Sequence, residues 1–280
     1  MRSTGSPRNP TVSATQPISS STISGYTAAL VFGPIMRDYG VVIGATRLWK
    51  RVWQLYLAHV MLVVVYFATV GYLALHFGLD SIAHYFNVAR LADQPFETLI
   101  ESLLLRFKPV NLDVLPLYIV LMAVFPPILW IMLRRPGLTI LESLALYFAA
   151  REFGWNLSAY PQGSWYFNPF CWQFLFCFGA WTALGGSIQL RPIIVSRWLI
   201  PLCTVYLVFG LIMTLAGSFE TIGGLIPRWM YELFNPNDKT NLAPYRVLHF
   251  SVIALLVARL IPKGCKGMEW LLWDPLVKCG

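Results

Sequence analysis

Charge is what this chain is short of. Lys, Arg, Asp and Glu make up 12% of its 280 residues, against about 25% in an ordinary soluble domain. A water-soluble globule could not coat itself with so few. Residues 1–22 also lack any apolar core; they are rich in Ser, Thr and Pro and read as a disordered tail rather than a secretory signal. The five cysteines make no disulfide framework. Cys171, Cys177 and Cys203 lie inside apolar runs and read as small buried thiols. Walker, GxGxxG, HExxH, GxSxG and CxxC patterns are missing too, so no phosphate cradle and no metal site is expected. What is abundant is apolar surface. Hydrophobic residues make up 57% and aromatics 15%, which excludes disorder and leaves an integral membrane protein.

A helix crossing the hydrocarbon core needs about 20 apolar residues. The runs from residues 55–75, 114–133, 138–150, 170–190, 199–217 and 247–261 predict six crossings. Residues 23–36 form a seventh, partial one. The expected fold is an all-α polytopic transmembrane helix bundle occupying residues 23–280 after the tail. The net charge of +8 is then tested against topology. With the basic stretch before Leu55 inside the cell, the inner segments hold Arg37, Arg47, Lys50, Arg51, Arg134, Arg135, Arg191, Arg197, Arg259, Lys263 and Lys266, with Asp38 the lone acid as far as Lys266. The outer segments mix Arg106, Arg151, Lys239 and Arg246 with most of the acids, among them Glu97, Glu101, Asp113, Glu152 and Asp238. This is positive-inside sorting. The basic balance is topological, and no nucleic-acid partner is called for.

Polar groups among apolar runs mark candidate sites. His59 sits early in the first complete run, and Arg246 and His249, three residues apart, share a helix face. After Pro95, residues Phe96, Leu99, Ile100, Leu103, Leu104 and Phe107 repeat with helical period. That stripe suits either the outer membrane interface or packing over the bundle mouth. The richest segment runs from Gly154 to Phe176, where Trp155, Tyr160, Trp165, Tyr166 and Trp172 alternate with Asn156, Asn168 and Gln173. Such a mixture serves an interfacial aromatic belt, or it holds sugars between aromatic faces and amide hydrogen bonds. Asn168 before Pro169 also has the form of a helix start.

SGYTAALVFG, RLWKRVWQLYLAHV, WNLSAYPQGSWYFNPFCWQFLFCFGAW and YRVLHF together resemble the OpgC family, bacterial inner-membrane proteins related to the acyltransferase-3 superfamily. The resemblance runs from about Ser24 to Gly280. It implies transfer of succinyl groups from a cytoplasmic thioester, succinyl-CoA, to osmoregulated periplasmic glucans, with no resident cofactor and with the lipid bilayer and the glucan as partners. Trp165, Asn168, Trp172, Gln173 and Arg246 are the implied acceptor-binding residues, and Arg47 and Arg51 the donor-binding ones. The family's usual Asp-His pair, whose histidine is the expected general base, does not occur in this sequence. The Ser/Thr-rich tail stands in its place, so the chain reads as the family pattern shortened at both ends. His249 and His59 then become the candidate bases. Other readings are a transporter or exporter of an acylated sugar or lipid, or a non-catalytic membrane scaffold.

Overall fold

The computed structural model describes residues 16–77, 94–107, 112–218 and 238–260, with positions 224 and 227. Among these residues there is no strand, only a single β-bridge between Ser158 and Ser164. The helices are α1 (Gln16–Asp38), α2 (Val41–Phe77), α3 (Pro95–Leu103), α4 (Val114–Arg134), α5 (Pro136–Glu152), α6 (Pro169–Trp181), α7 (Ser187–Val195), α8 (Leu199–Ser218) and α9 (Pro244–Leu260). They fall into two compact units. The first comprises residues up to 187 together with 238–242, and the second the remainder.

The partial N-terminal run is a complete 23-residue helix. It begins inside the stretch expected to be a tail; residues 1–15 lie outside the described residues. Ser and Thr are tolerated there because their hydroxyls bond back to the preceding turn, as Thr22 Oγ1 does to the Ile18 carbonyl at 3.1 Å. One face of α1 carries Ser21, Gly25, Ala29 and Gly33, a small residue every fourth position, all buried. This is the pattern that lets helix backbones touch in a membrane. A Cβ at Gly25 would overlap the Phe176 carbonyl of α6, and one at Gly179 would overlap the Thr22 carbonyl of α1. The crossing of α1 and α6 is therefore built on two glycines.

Two short turns set the direction of the other helices. Gly40, at φ +91°, turns α1 into α2 with a left-handed backbone that a side chain would disfavour. Arg135 lies between α4 and α5 and takes φ −140°, ψ 71°, because the residue before proline is pushed out of the helical region. Phe107 is fully buried among Val63, Phe67 and Val70 of α2. Further along, the Trp49 indole donates to the Ala123 carbonyl in the middle of α4 at 3.1 Å. The chain thus enters α4 near the far part of α2 and runs antiparallel to it.

Among the described residues, three helical stretches are long and apolar enough to cross a membrane: Val41–Leu73, Val114–Arg134 and Leu199–Ala216. The other expected crossings are helical but shorter or interrupted. Helices α5 and α9 have 17 residues each. The run expected over residues 170–190 breaks at Thr182–Gly186, a wide π-type turn in which Gly185 has φ +105°. The basic stretch also differs from expectation. Arg47, Lys50 and Arg51 do not precede the first crossing helix but lie within α2, whose 37 residues extend about 55 Å at 1.5 Å per residue.

In the second unit, α8 and α9 pack through Leu199, Cys203 and Val252. The Tyr206 hydroxyl donates to the Tyr245 carbonyl at 3.2 Å. Cys203, like Cys171 and Cys177 in the first unit, is a buried free thiol. Cys265 and Cys279 lie outside the described residues.

Candidate functional site

The aromatic and amide block is assembled by the end of α5 and the start of α6. Gly154, at φ +66°, stops α5: Phe153 N–H bonds the Ala149 carbonyl and Trp155 N–H reaches back to Ala150 at 3.0 Å. This is a Schellman closure with glycine in the left-handed position. The loop then folds on itself. Asn156 Nδ2 donates to the Trp165 carbonyl at 2.9 Å, and Trp165 N–H donates to the Leu157 carbonyl at 2.9 Å.

Asn168 starts α6. Its side-chain oxygen accepts from Phe170 N–H at 3.0 Å, the N-cap bond expected ahead of Pro169. Its Nδ2 donates to the Trp155 carbonyl at 2.6 Å and to Asn241 Oδ1 at 2.9 Å. The Trp172 indole donates to the carbonyls of Lys239 and Thr240 at 3.3 and 3.2 Å. From α5, the Tyr147 hydroxyl donates to the Leu242 carbonyl at 2.6 Å and Arg151 to the Asn241 carbonyl at 2.7 Å. Arg151 pairs with Asp238 at 3.7 Å rather than with its neighbour Glu152. Gln173 closes onto α5, accepting from the Ser143 hydroxyl and donating to the Ser143 carbonyl, both at 2.7 Å.

The structure thus brings Trp165, Asn168, Trp172 and Gln173 together, but as a buried brace. All four are buried, Asn168 completely. Every Asn168 amide bond described above goes to protein, and none of the four presents an open face to a sugar. The aromatic surface that does face outward is different: Phe153, Trp155 and Tyr166, at 69%, 48% and 47% exposure. Phe153 and Trp155 stack, with centroids 5.5 Å apart.

Sequence reasoning missed Ser143, Tyr147 and the 238–242 segment. A signal was present, since Thr139, Ser143, Tyr147 and Arg151 recur every fourth residue along a helix whose other residues, apart from Glu142 and Glu152, are apolar. That spacing marks a polar stripe with partners to find.

The cationic candidates lie on α2. Arg47, Lys50, Arg51 and Gln54 follow i, i+3, i+4 and i+7 and are all exposed, forming one stripe. Arg47 stacks over the Tyr39 ring at 5.7 Å, and Trp49 and Trp53 flank the stripe, both more than half exposed. His59 belongs to another face of the same helix, the packing face of Leu48, Val63 and Phe67, and is fully buried.

In the second unit, Arg246 is buried and its guanidinium lies 5.5 Å from the Tyr245 ring centroid. His249, half-buried, faces α8, where its ring centroid lies 6.1 Å from that of Tyr206. Gly210 of α8 lies opposite the ring: a Cβ there would stand 3.7 Å from His249 Nδ1, an ordinary contact. Among the described residues no group of three His, Cys, Asp or Glu side chains converges as metal ligands would.

These features define a helical membrane protein with a cationic helix face and an aromatic loop held by a buried polar brace. The profile of the family described as OpgC protein matches residues 22–280, and the chain belongs to that family. No curated protein and no solved structure matches it.

Proposed function

We propose that this chain acts in glucan modification at the bacterial inner membrane, crossing it six times, and transfers succinyl groups from a cytoplasmic thioester such as succinyl-CoA to hydroxyls of a periplasmic glucan. Family membership supports the glucan class. The observation that carries the chemistry is that the first unit exposes two unlike surfaces. The Arg47–Lys50–Arg51 stripe lies toward the Gly40 turn and suits the phosphates of an anionic donor. The exposed Phe153, Trp155 and Tyr166 lie toward the other end, beside the loop whose Tyr160 packs on Phe107. Aromatic faces of that kind suit sugar rings. The buried amides behind them hold the loop in shape and do not themselves contact the acceptor.

In the transfer, the glucan hydroxyl oxygen attacks the thioester carbonyl, its proton passes to a base, and the thiolate leaves. Of the two candidate bases His249 is the better one, since it is half-buried whereas His59 is fully buried. The test is label transfer from succinyl-CoA to glucan in membranes containing the full chain. Trp155→Ala is expected to raise the KM for glucan, the double variant Arg47→Gln/Arg51→Gln the KM for donor, and His249→Ala to abolish transfer. Accumulation of unmodified substrate in sealed vesicles, without covalent labelling, would replace this reading with transport.

A further inference from the structure

Helix α3 is built inside out. Its small polar residues Thr98 and Ser102 are buried against the protein, at 0% and 4% exposure. The Ser102 hydroxyl bonds back to the Thr98 carbonyl at 2.6 Å, so the inward face carries no free hydroxyl donor at that position. The large apolar residues Phe96, Leu99, Ile100, Leu103 and Leu104 all point outward, Phe96 at 81% exposure. A helix covering a soluble surface has the reverse arrangement.

The ends of the helix show how this orientation is held. Leu105 takes φ +60° while Arg106 and Phe107 N–H both return to the Glu101 carbonyl. The chain turns there, and Phe107, the last member of the apolar stripe, leaves the outer face and is buried on α2. At the other end, the Tyr160 hydroxyl reaches Gln94 Oε1 at 3.0 Å and Glu97 Oε2 at 3.3 Å. Glu101 is paired with Arg106 at 3.1 Å. The charged groups are thus tied to protein or to each other at the flanks, and the outward face is apolar.

What covers that face is indicated by where the helix sits. The Leu103 carbonyl accepts from the Tyr56 hydroxyl at 3.0 Å, and Tyr56 belongs to the stretch Val41–Leu73, which is apolar enough to cross a membrane. Nearby on α2, Met61, Val64 and Val65 are themselves exposed by half or more. The outward face of α3 therefore continues the apolar exterior of a membrane-crossing helix. We infer that α3 is an interfacial anchor whose Phe96, Leu99, Ile100, Leu103 and Leu104 are immersed in the lipid bilayer at the boundary of headgroups and acyl chains. This does not rest on the acyl-transfer reading.

The test is photocrosslinking of the full chain in phospholipid vesicles, with benzoylphenylalanine replacing Phe96 in one variant and Ile100 in another. Gln162, exposed in the polar loop, serves as the aqueous control position. Phospholipid adducts detected by mass are expected at 96 and 100, several-fold above the yield at 162. Adducts to a second protein chain, or yields at 96 and 100 no higher than at 162, would overturn the inference. Phe96 is so exposed that its replacement leaves the fold intact. Elution of each variant as the parent does on size exclusion verifies this before illumination.

Discussion

Replacing Asn168 by alanine separates a structural role from a substrate-binding one. The side chain is fully buried, caps α6 through Phe170 N–H, and ties that helix start to Trp155 and Asn241. Alanine deletes all three bonds at once. A lost N-cap costs about 1 kcal/mol, and each buried partner left unsatisfied costs about 1–3 kcal/mol. Because the three share one network their losses do not simply add, and a destabilisation of about 3–5 kcal/mol is expected. Asn168→Asp should do no better than alanine. It keeps the cap acceptor but turns a carboxylate toward two other oxygens, the Trp155 carbonyl and Asn241 Oδ1. The assay is unfolding of the purified chain in mixed micelles titrated with SDS, followed by tryptophan fluorescence. If Asn168→Ala unfolds within about 0.5 kcal/mol of the parent, the range of a neutral surface change, while glucan labelling is lost, Asn168 is a ligand residue and the brace reasoning is wrong.

Other substitutions probe the remaining contacts. Gly25→Ala and Gly179→Ala each drive a methyl into a backbone carbonyl across the α1–α6 crossing, so each should cost about 3 kcal/mol or more in the same titration, the upper range for overpacking. Gly210→Ala is the control, because its Cβ meets His249 at an ordinary 3.7 Å; it should be neutral or stabilise α8 by up to about 1 kcal/mol through helix propensity. Asp238→Asn should cost no more than about 1 kcal/mol, since the ion pair is 3.7 Å long with both side chains more than a quarter exposed. The Asn241 N–H bond that Asp238 accepts can pass to the new amide oxygen. The bond lost is the one Asn241 Nδ2 donates to the second carboxylate oxygen at 3.2 Å, where both groups are partly open to solvent. Gln173→Leu should fall in between, at about 1–2 kcal/mol, because the Ser143 hydroxyl it abandons can turn back to the preceding helical turn.

The parts of the fold legible in the sequence are those fixed by neighbours along the chain. Pro95 begins a helix, Asn168–Pro169 begins another, and three of the apolar runs are long enough to cross a membrane. Local signals also misled. Ser and Thr near residue 20 looked incompatible with a helix until their back-bonding and the close approach of α6 are taken together. The basic residues of α2 looked like a connecting loop because charge in an apolar run suggests a boundary. Their i, i+3, i+4 spacing was equally a helical stripe, and their long side chains need only one exposed face.

The candidate site was harder to read because its geometry depends on residues far apart in sequence. Asn168, Trp172, Tyr147 and Arg151 each bond to the 238–242 segment across separations of 67 to 95 residues, which no periodicity reveals. The most distinctive part of the sequence, the Trp, Asn and Gln block, is therefore demanding for a structural reason: Asn156, Asn168, Trp172 and Gln173 each satisfy protein partners of fixed chemistry. Distinctive residues and ligand-contacting residues are then different sets. A buried amide with three protein bonds admits few substitutes, whereas an exposed aromatic that stacks on a sugar can be Phe, Tyr or Trp. On the proposed acyl transfer, the acceptor should accordingly be sought at Phe153, Trp155 and Tyr166, the exposed aromatics of the loop, with the brace behind them setting where those rings stand.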